Sequence, residues 1–244
     1  MLRSIWTRLF KEPWIMGIVL FILLSILRGY GILSGDKSNY SLVMIGFVIM
    51  WSIPFISLTK NGRHQIGIRK PKNIQWILLS PLIGIISALL MFLIGFLLYQ
   101  NSSDNWYITV GNTYITDPNM LQMPRFKLFI MFTIPAMTFS PIGEELFFRG
   151  VIYESIKIKW NLRTAVIVNS ALFGLVHILH HGISNQSGSL KVFWLSGVIW
   201  VVLIILCGSL FTLIREKTGS IWPAMIAHAF FNLAMNITIF FILL

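Results

Sequence analysis

Glu144 and Glu145 stand side by side in the stretch 126–148, whose only other charged residue is Lys127, and Arg149 follows the first of them by five positions. A charge near the centre of a bilayer costs about 2.5–3.5 kcal/mol on the mildest scales, so ionisable groups in such stretches mark functional sites by default. Farther along, His177 and His228 each lie in an apolar segment, and Asn232 follows His228 by one helical turn. A carboxylate, two imidazoles and an amide form a set suited to hydrolysis. The glutamate can take a proton from water, and a histidine can orient that water and relay its proton. A second imidazole and the amide can stabilise the oxyanion formed when water attacks a peptide carbonyl.

The elements that must hold these groups follow from composition. The chain has 244 residues, 56% of them hydrophobic and 11% charged, with a mean hydropathy of +0.79. A soluble domain of this length is excluded. The fold class expected is all-α: a polytopic transmembrane helical bundle, a single integral membrane domain over 1–244 with its motif-bearing core at about 126–244. Seven spans are expected, at 14–33, 42–58, 76–99, 128–158, 165–181, 192–214 and 221–244. The net charge of +11 does not point to nucleic acid, because the basic residues collect in alternate short connections. Arg3, Arg8 and Lys11 precede the first span, and Lys60, Arg63, Arg69, Lys70 and Lys72 follow the second. Lys157, Lys159 and Arg163 follow the fourth, and Arg215 and Lys217 the sixth. The positive-inside bias then predicts a multi-pass cell-membrane protein with a cytoplasmic N-terminus and an outer C-terminus.

Other features receive plainer readings. The first apolar run is expected to stay in place as a span, since no alanine precedes Ala88 to form an A-x-A cleavage site. Trp14, Trp76, Tyr99, Trp160, Trp194 and Trp222 fall near span ends, where interfacial rings belong. Arg28 is read as snorkelling to the interface. His180 and His181 are read as marking the outer interface, and His64 as part of a basic loop. The long outer connection, 101–127, is expected to hold at most a short surface element. Cys207 is the only cysteine, which excludes an intrachain disulfide and cysteine-based zinc sites.

Depth brings the chemical residues together. Glu144 lies 15 residues before Lys159, His177 lies 14 after Arg163, and His228 lies 11 after Lys217. At a 1.5 Å rise per residue these are roughly 22, 21 and 16 Å below one membrane face. His228 and Asn232 are i,i+4 and share a face, as do Phe173 and His177. Consecutive glutamates point about 100° apart, so only Glu144 is expected to aim fully at the histidines. Glu145, at i,i+4 to Arg149, is expected to form an ion pair with it. Pro141 and Gly143 are expected to loosen the helix and open space for water.

The segment Glu144-Glu145-Leu-Phe-Phe-Arg149 has the form E-E-x-x-x-R, Phe173-Gly-Leu-Val-His177 the form F-x-x-x-H, and His228-Ala-Phe-Phe-Asn232 the form H-x-x-x-N. In that order on successive apolar segments, they resemble the CPBP family of CAAX proteases and bacteriocin-processing enzymes, also called Abi. The resemblance covers about 132–237. It implies an intramembrane endopeptidase in which Glu144 activates water with help from His177, while His228 and Asn232 form the oxyanion site. Glu145, Arg149 and Phe173 would support them. It implies a membrane-associated peptide or protein as substrate, met in the lipid bilayer.

No metal is expected. The alternative is zinc held by Glu144, His177 and His228, although no H-E-x-x-H spacing is present. Two other functional classes fit part of the pattern: a transporter with intramembrane charges, or a non-catalytic immunity or scaffold protein.

Overall fold

The computed structural model describes residues 1–34, 39, 41–115, 117–185 and 189–243. Parts of the connections expected at 35–41 and 182–191, and the final residue of the last span, fall outside them. Among the described residues the chain is helical apart from one small hairpin, in accord with the expected bundle.

A short helix α1 (Ser4–Leu9) leads into α2 (Pro13–Leu33), whose first-turn proline needs no amide partner. Then come α3 (Ser41–Ser57), α4 (Lys60–Gln65), α5 (Gln75–Tyr99) and α6 (Trp106–Tyr114). Helix α7 (Arg125–Glu144) runs through a π-helical turn (Glu145–Ile152) into α8 (Tyr153–Lys159). Helix α9 (Leu162–Val176), α10 (Trp194–Thr218) and α11 (Trp222–Thr238) complete the bundle. Between α9 and α10 lies the two-stranded hairpin of β1 (Ile183–Ser184) and β2 (Lys191–Val192).

Among the described residues, six helical segments are long and apolar enough to cross a membrane, and α3 is a shorter apolar helix. The two together account for the seven expected spans. The segments that carry the motifs, Arg125–Lys159, Leu162–Leu179 and Trp222–Leu243, are the least hydropathic of the six. Buried polar groups lower their hydropathy. Boundaries move where backbone chemistry intervenes. The fifth span leaves the α-helix at Val176 and continues as a 3₁₀ turn, His177–Leu179, and Val192 belongs to β2 rather than to the sixth span.

Helix α6 corrects the expectation for the long outer connection. It is no surface element: Trp106 and Tyr107 are fully buried, and the Tyr107 hydroxyl donates to the Ala88 carbonyl of α5 at 2.6 Å. Asn105 caps it by accepting from the Tyr107 amide at 3.0 Å. Mixed polarity in the sequence conceals an element buried on one face and bounded by polar turns.

Two glycines set the helix spacings that matter for the site. A Cβ on Gly84 of α5 would overlap the Ala227 carbonyl, so the α5 and α11 backbones touch beside His228. A Cβ on Gly143 would come within 2.9 Å of the Phe47 carbonyl, so α3 lies directly on α7 just before the glutamate pair. Gly143 therefore serves close packing rather than the expected opening for water. The Trp51 indole fixes the same contact by donating to the Phe139 carbonyl at 2.9 Å.

Candidate active site

Glu144 closes α7, and Glu145 opens the π-helical turn. Pro141 lacks an amide hydrogen and cannot donate within the helix, and the Glu145 amide reaches back to both the Pro141 and Ile142 carbonyls. π-Helical turns widen a helix locally and are frequent at functional sites. Both carboxylates, with Arg149, are fully buried.

His228 lies between them. Its Nδ1 is 2.9 Å from Glu145 Oε1, and its Nε2 is 3.8 Å from Glu144 Oε2. Only one glutamate was expected to face the histidines. Instead both reach His228, because the two nitrogens of one imidazole meet acids that leave the helix in different directions. Glu145 also forms the expected ion pair with Arg149, Oε1 to Nη1 at 3.0 Å.

His177 approaches from the other side, its Nε2 4.0 Å from Glu144 Oε2 and its Nδ1 2.6 Å from the Phe173 carbonyl. A carbonyl can only accept, so Nδ1 carries the hydrogen and the neutral ring presents a lone pair at Nε2. The same assignment for His228 follows from the carboxylate behind its Nδ1. Glu144 Oε2 is buried without a hydrogen-bond partner, and it faces both Nε2 atoms.

Phe173 shapes this arrangement. The Arg149 guanidinium stacks over its ring at 3.9 Å, and the ring lies 4.5 Å from that of His177 and 6.0 Å, edge-on, from that of His228. Asn232 is also at the site, but its Nδ2 donates to the Ala136 carbonyl at 2.7 Å. One amide hydrogen is thereby engaged, and the second is left for a ligand. Phe173, His177, His228 and Asn232 line a largely apolar cavity of about 310 Å³.

Sequence reasoning missed two residues. Arg28 of α2 is 5% exposed and does not snorkel to the interface. Its Nη1 donates to Glu144 Oε1 at 2.9 Å. Its Nη2 donates to His180 Nε2, so His180 belongs to this network rather than to the outer interface. A signal was available: Arg28 lies 17 residues after Lys11, roughly 26 Å along the helix, close to the depth of Glu144. His181 is likewise no interfacial residue. It is fully buried between Thr109 and Ser196, at 3.0 and 2.9 Å. Those two bonds make the ring a link between α6 and α10.

Among the described residues, no group of three or more His, Cys, Asp or Glu side chains is placed to hold a metal ion. Glu144, the one acid in the zinc set considered from sequence, carries a guanidinium on Oε1. Its Oε2 stays open beside the two Nε2 atoms.

Residues 126–234 match the family model Rce1-like, described as type II CAAX prenyl endopeptidase Rce1-like. The match bears out the family resemblance read from the three motifs and contains all of them. No curated protein and no solved structure matches the chain.

Proposed function

We propose, from a core that matches the CAAX protease family, that this multi-pass membrane protein is an intramembrane endopeptidase. It hydrolyses a peptide bond of a membrane-associated protein or peptide with a water activated by Glu144. The observation that carries this reading is the unpaired Glu144 Oε2 facing His177 Nε2 at 4.0 Å and His228 Nε2 at 3.8 Å. A water that donates one hydrogen to Glu144 Oε2 and the other to His177 Nε2, each at about 2.8 Å, fits between two atoms so spaced.

In the proposed reaction the water oxygen attacks the scissile carbonyl carbon as its proton passes to Glu144. His177, held with its lone pair inward, orients the water. The carbonyl becomes an oxyanion that accepts from the free amide hydrogen of Asn232 and from His228 when that ring holds a second proton. Glu145 lies behind His228 and compensates the charge of its protonated form, as a carboxylate does behind a catalytic imidazole. Collapse of the intermediate breaks the C–N bond, and the leaving amine takes the proton from Glu144. The apolar cavity wall suits an apolar or lipid-bearing substrate segment.

We favour hydrolysis without a metal, because Arg28 already supplies positive charge at Glu144 and the donors form a complete set without an ion. Purified protein in vesicles, given a membrane-anchored fluorogenic peptide, tests the proposal. Cleavage that survives chelation is expected. Ion-coupled flux without cleavage would support a carrier instead. Zinc bound one-to-one, with activity lost on stripping and restored by readdition, would make the metal version correct.

The orientation proposed is N-terminus inside and C-terminus outside, because the basic connections alternate. Single cysteines in the 60–72 connection, in a background lacking Cys207, are expected to resist impermeant thiol labels in intact cells. A cysteine at Ser102, which is exposed, is expected to react. The reverse pattern would invert the topology.

A further inference from the structure

We infer that Arg28 is the positioning residue for Glu144, and that His180 fixes Arg28 in turn, so that the first span completes a site otherwise built from the motif helices. The inference rests on the protease reading above. Arg28 lies far upstream of the matched segment 126–234, so this part of the site comes from outside the family core.

Arg28 is the only charged residue in Pro13–Leu33, and burying a guanidinium in such a helix is costly unless it is paired. Its pairing is specific. The planar fork spends Nη1 on Glu144 Oε1 at 2.9 Å and Nη2 on His180 Nε2, while Phe47 lies under the group at 5.6 Å. A guanidinium donates and never accepts, so His180 must offer a lone pair at Nε2 and carry its hydrogen on Nδ1. Two partners held by one rigid fork fix the plane of the guanidinium.

That plane decides which carboxylate oxygen does the chemistry. The terminal torsion of a glutamate is broad and nearly two-fold, so an unrestrained carboxylate presents either oxygen over a range of angles. With Oε1 held by Arg28, Oε2 is the atom left facing both histidines. Charge agrees with this division. Glu145 has Arg149 as its cation, Glu144 has Arg28, and without Arg28 the buried cluster carries one uncompensated negative charge.

The test uses the full-length protein in vesicles with two readouts: cleavage kinetics on the anchored peptide, and modification of Glu144 by the membrane-soluble reagent dicyclohexylcarbodiimide, followed by mass spectrometry. Arg28→Gln is expected to lower kcat by about 100-fold, the scale of a misplaced catalytic group, with KM little changed. Arg28→Lys should be intermediate, because an ammonium supplies charge without the fork. Arg28→Ala should regain activity saturably with ethylguanidinium but not with ethylammonium, which separates positioning from a general loss of folding. His180→Gln, which keeps an acceptor, should stay within a few-fold of wild type, and His180→Leu should fall below it. Glu144 should be shielded from the carbodiimide in the wild type, labelled in Arg28→Ala, and shielded again by ethylguanidinium.

Wild-type kcat in Arg28→Gln, a loss confined to KM, or equal labelling with and without Arg28 would overturn the inference while Glu144-dependent cleavage stood. Arg28-controlled labelling without any Glu144-dependent cleavage would instead overturn the protease reading, and with it the catalytic role given to Arg28.

Discussion

Replacing Glu144 by glutamine is expected to lower the cleavage rate by about 10²- to 10⁴-fold, the range for loss of a general base. The substitution keeps volume, and its amide oxygen can still accept from Arg28 Nη1, now 2.9 Å from Oε1. What it removes is the basic oxygen at the point where both imidazole Nε2 atoms converge. The buried Arg28 charge loses its counterion, so a drop in melting temperature should accompany the loss of rate. Single-turnover cleavage by monodisperse protein separates the two effects. Near-normal turnover by folded Glu144→Gln would remove the proposed mechanism.

The second large effect is expected at His228. His228→Ala should reduce cleavage by about 10²- to 10³-fold, the cost of losing a preorganised oxyanion donor, with most of the change in kcat. It also strips Glu145 Oε1 of its 2.9 Å partner, although the Arg149 ion pair at 3.0 Å remains. Glu145→Gln should therefore be the less stable variant, because it leaves the fully buried Arg149 uncompensated; removing one partner of a buried pair typically costs about 3–5 kcal/mol. Thermal unfolding in detergent, set beside kcat, checks this ordering. His228→Ala with wild-type kcat would take the oxyanion role from His228 and leave Asn232 as its remaining candidate.

The sequence carries the central set of the candidate site because the three motifs sit on apolar helices, where every ionisable group is conspicuous. Glu144, His177 and His228 meet at one carboxylate oxygen, as their similar depths suggested. Arg28 was harder to read. A lone arginine near the end of an apolar run looks the same whether it snorkels or pairs, and its partner Glu144 is 116 positions away. His180 and His181 were misread for a related reason. Adjacent histidines past the end of a helix resemble an interface, and only the 3₁₀ turn at His177–Leu179 and the packing of α6 enclose them. The joint approach of Glu145 and Glu144 to His228 depends on a π-helical turn that periodicity does not encode. The spacing of α5 on α11 through Gly84 is a tertiary fact that a glycine in an apolar run does not announce.

The most direct test of Glu144-dependent proteolysis is a comparison of membrane-protein termini in cells carrying the wild type or Glu144→Gln at equal abundance. The proposed mechanism predicts new N- and C-termini within or beside membrane segments of one or more proteins, present with the wild type and lost with Glu144→Gln. The same set of termini in both strains would contradict it.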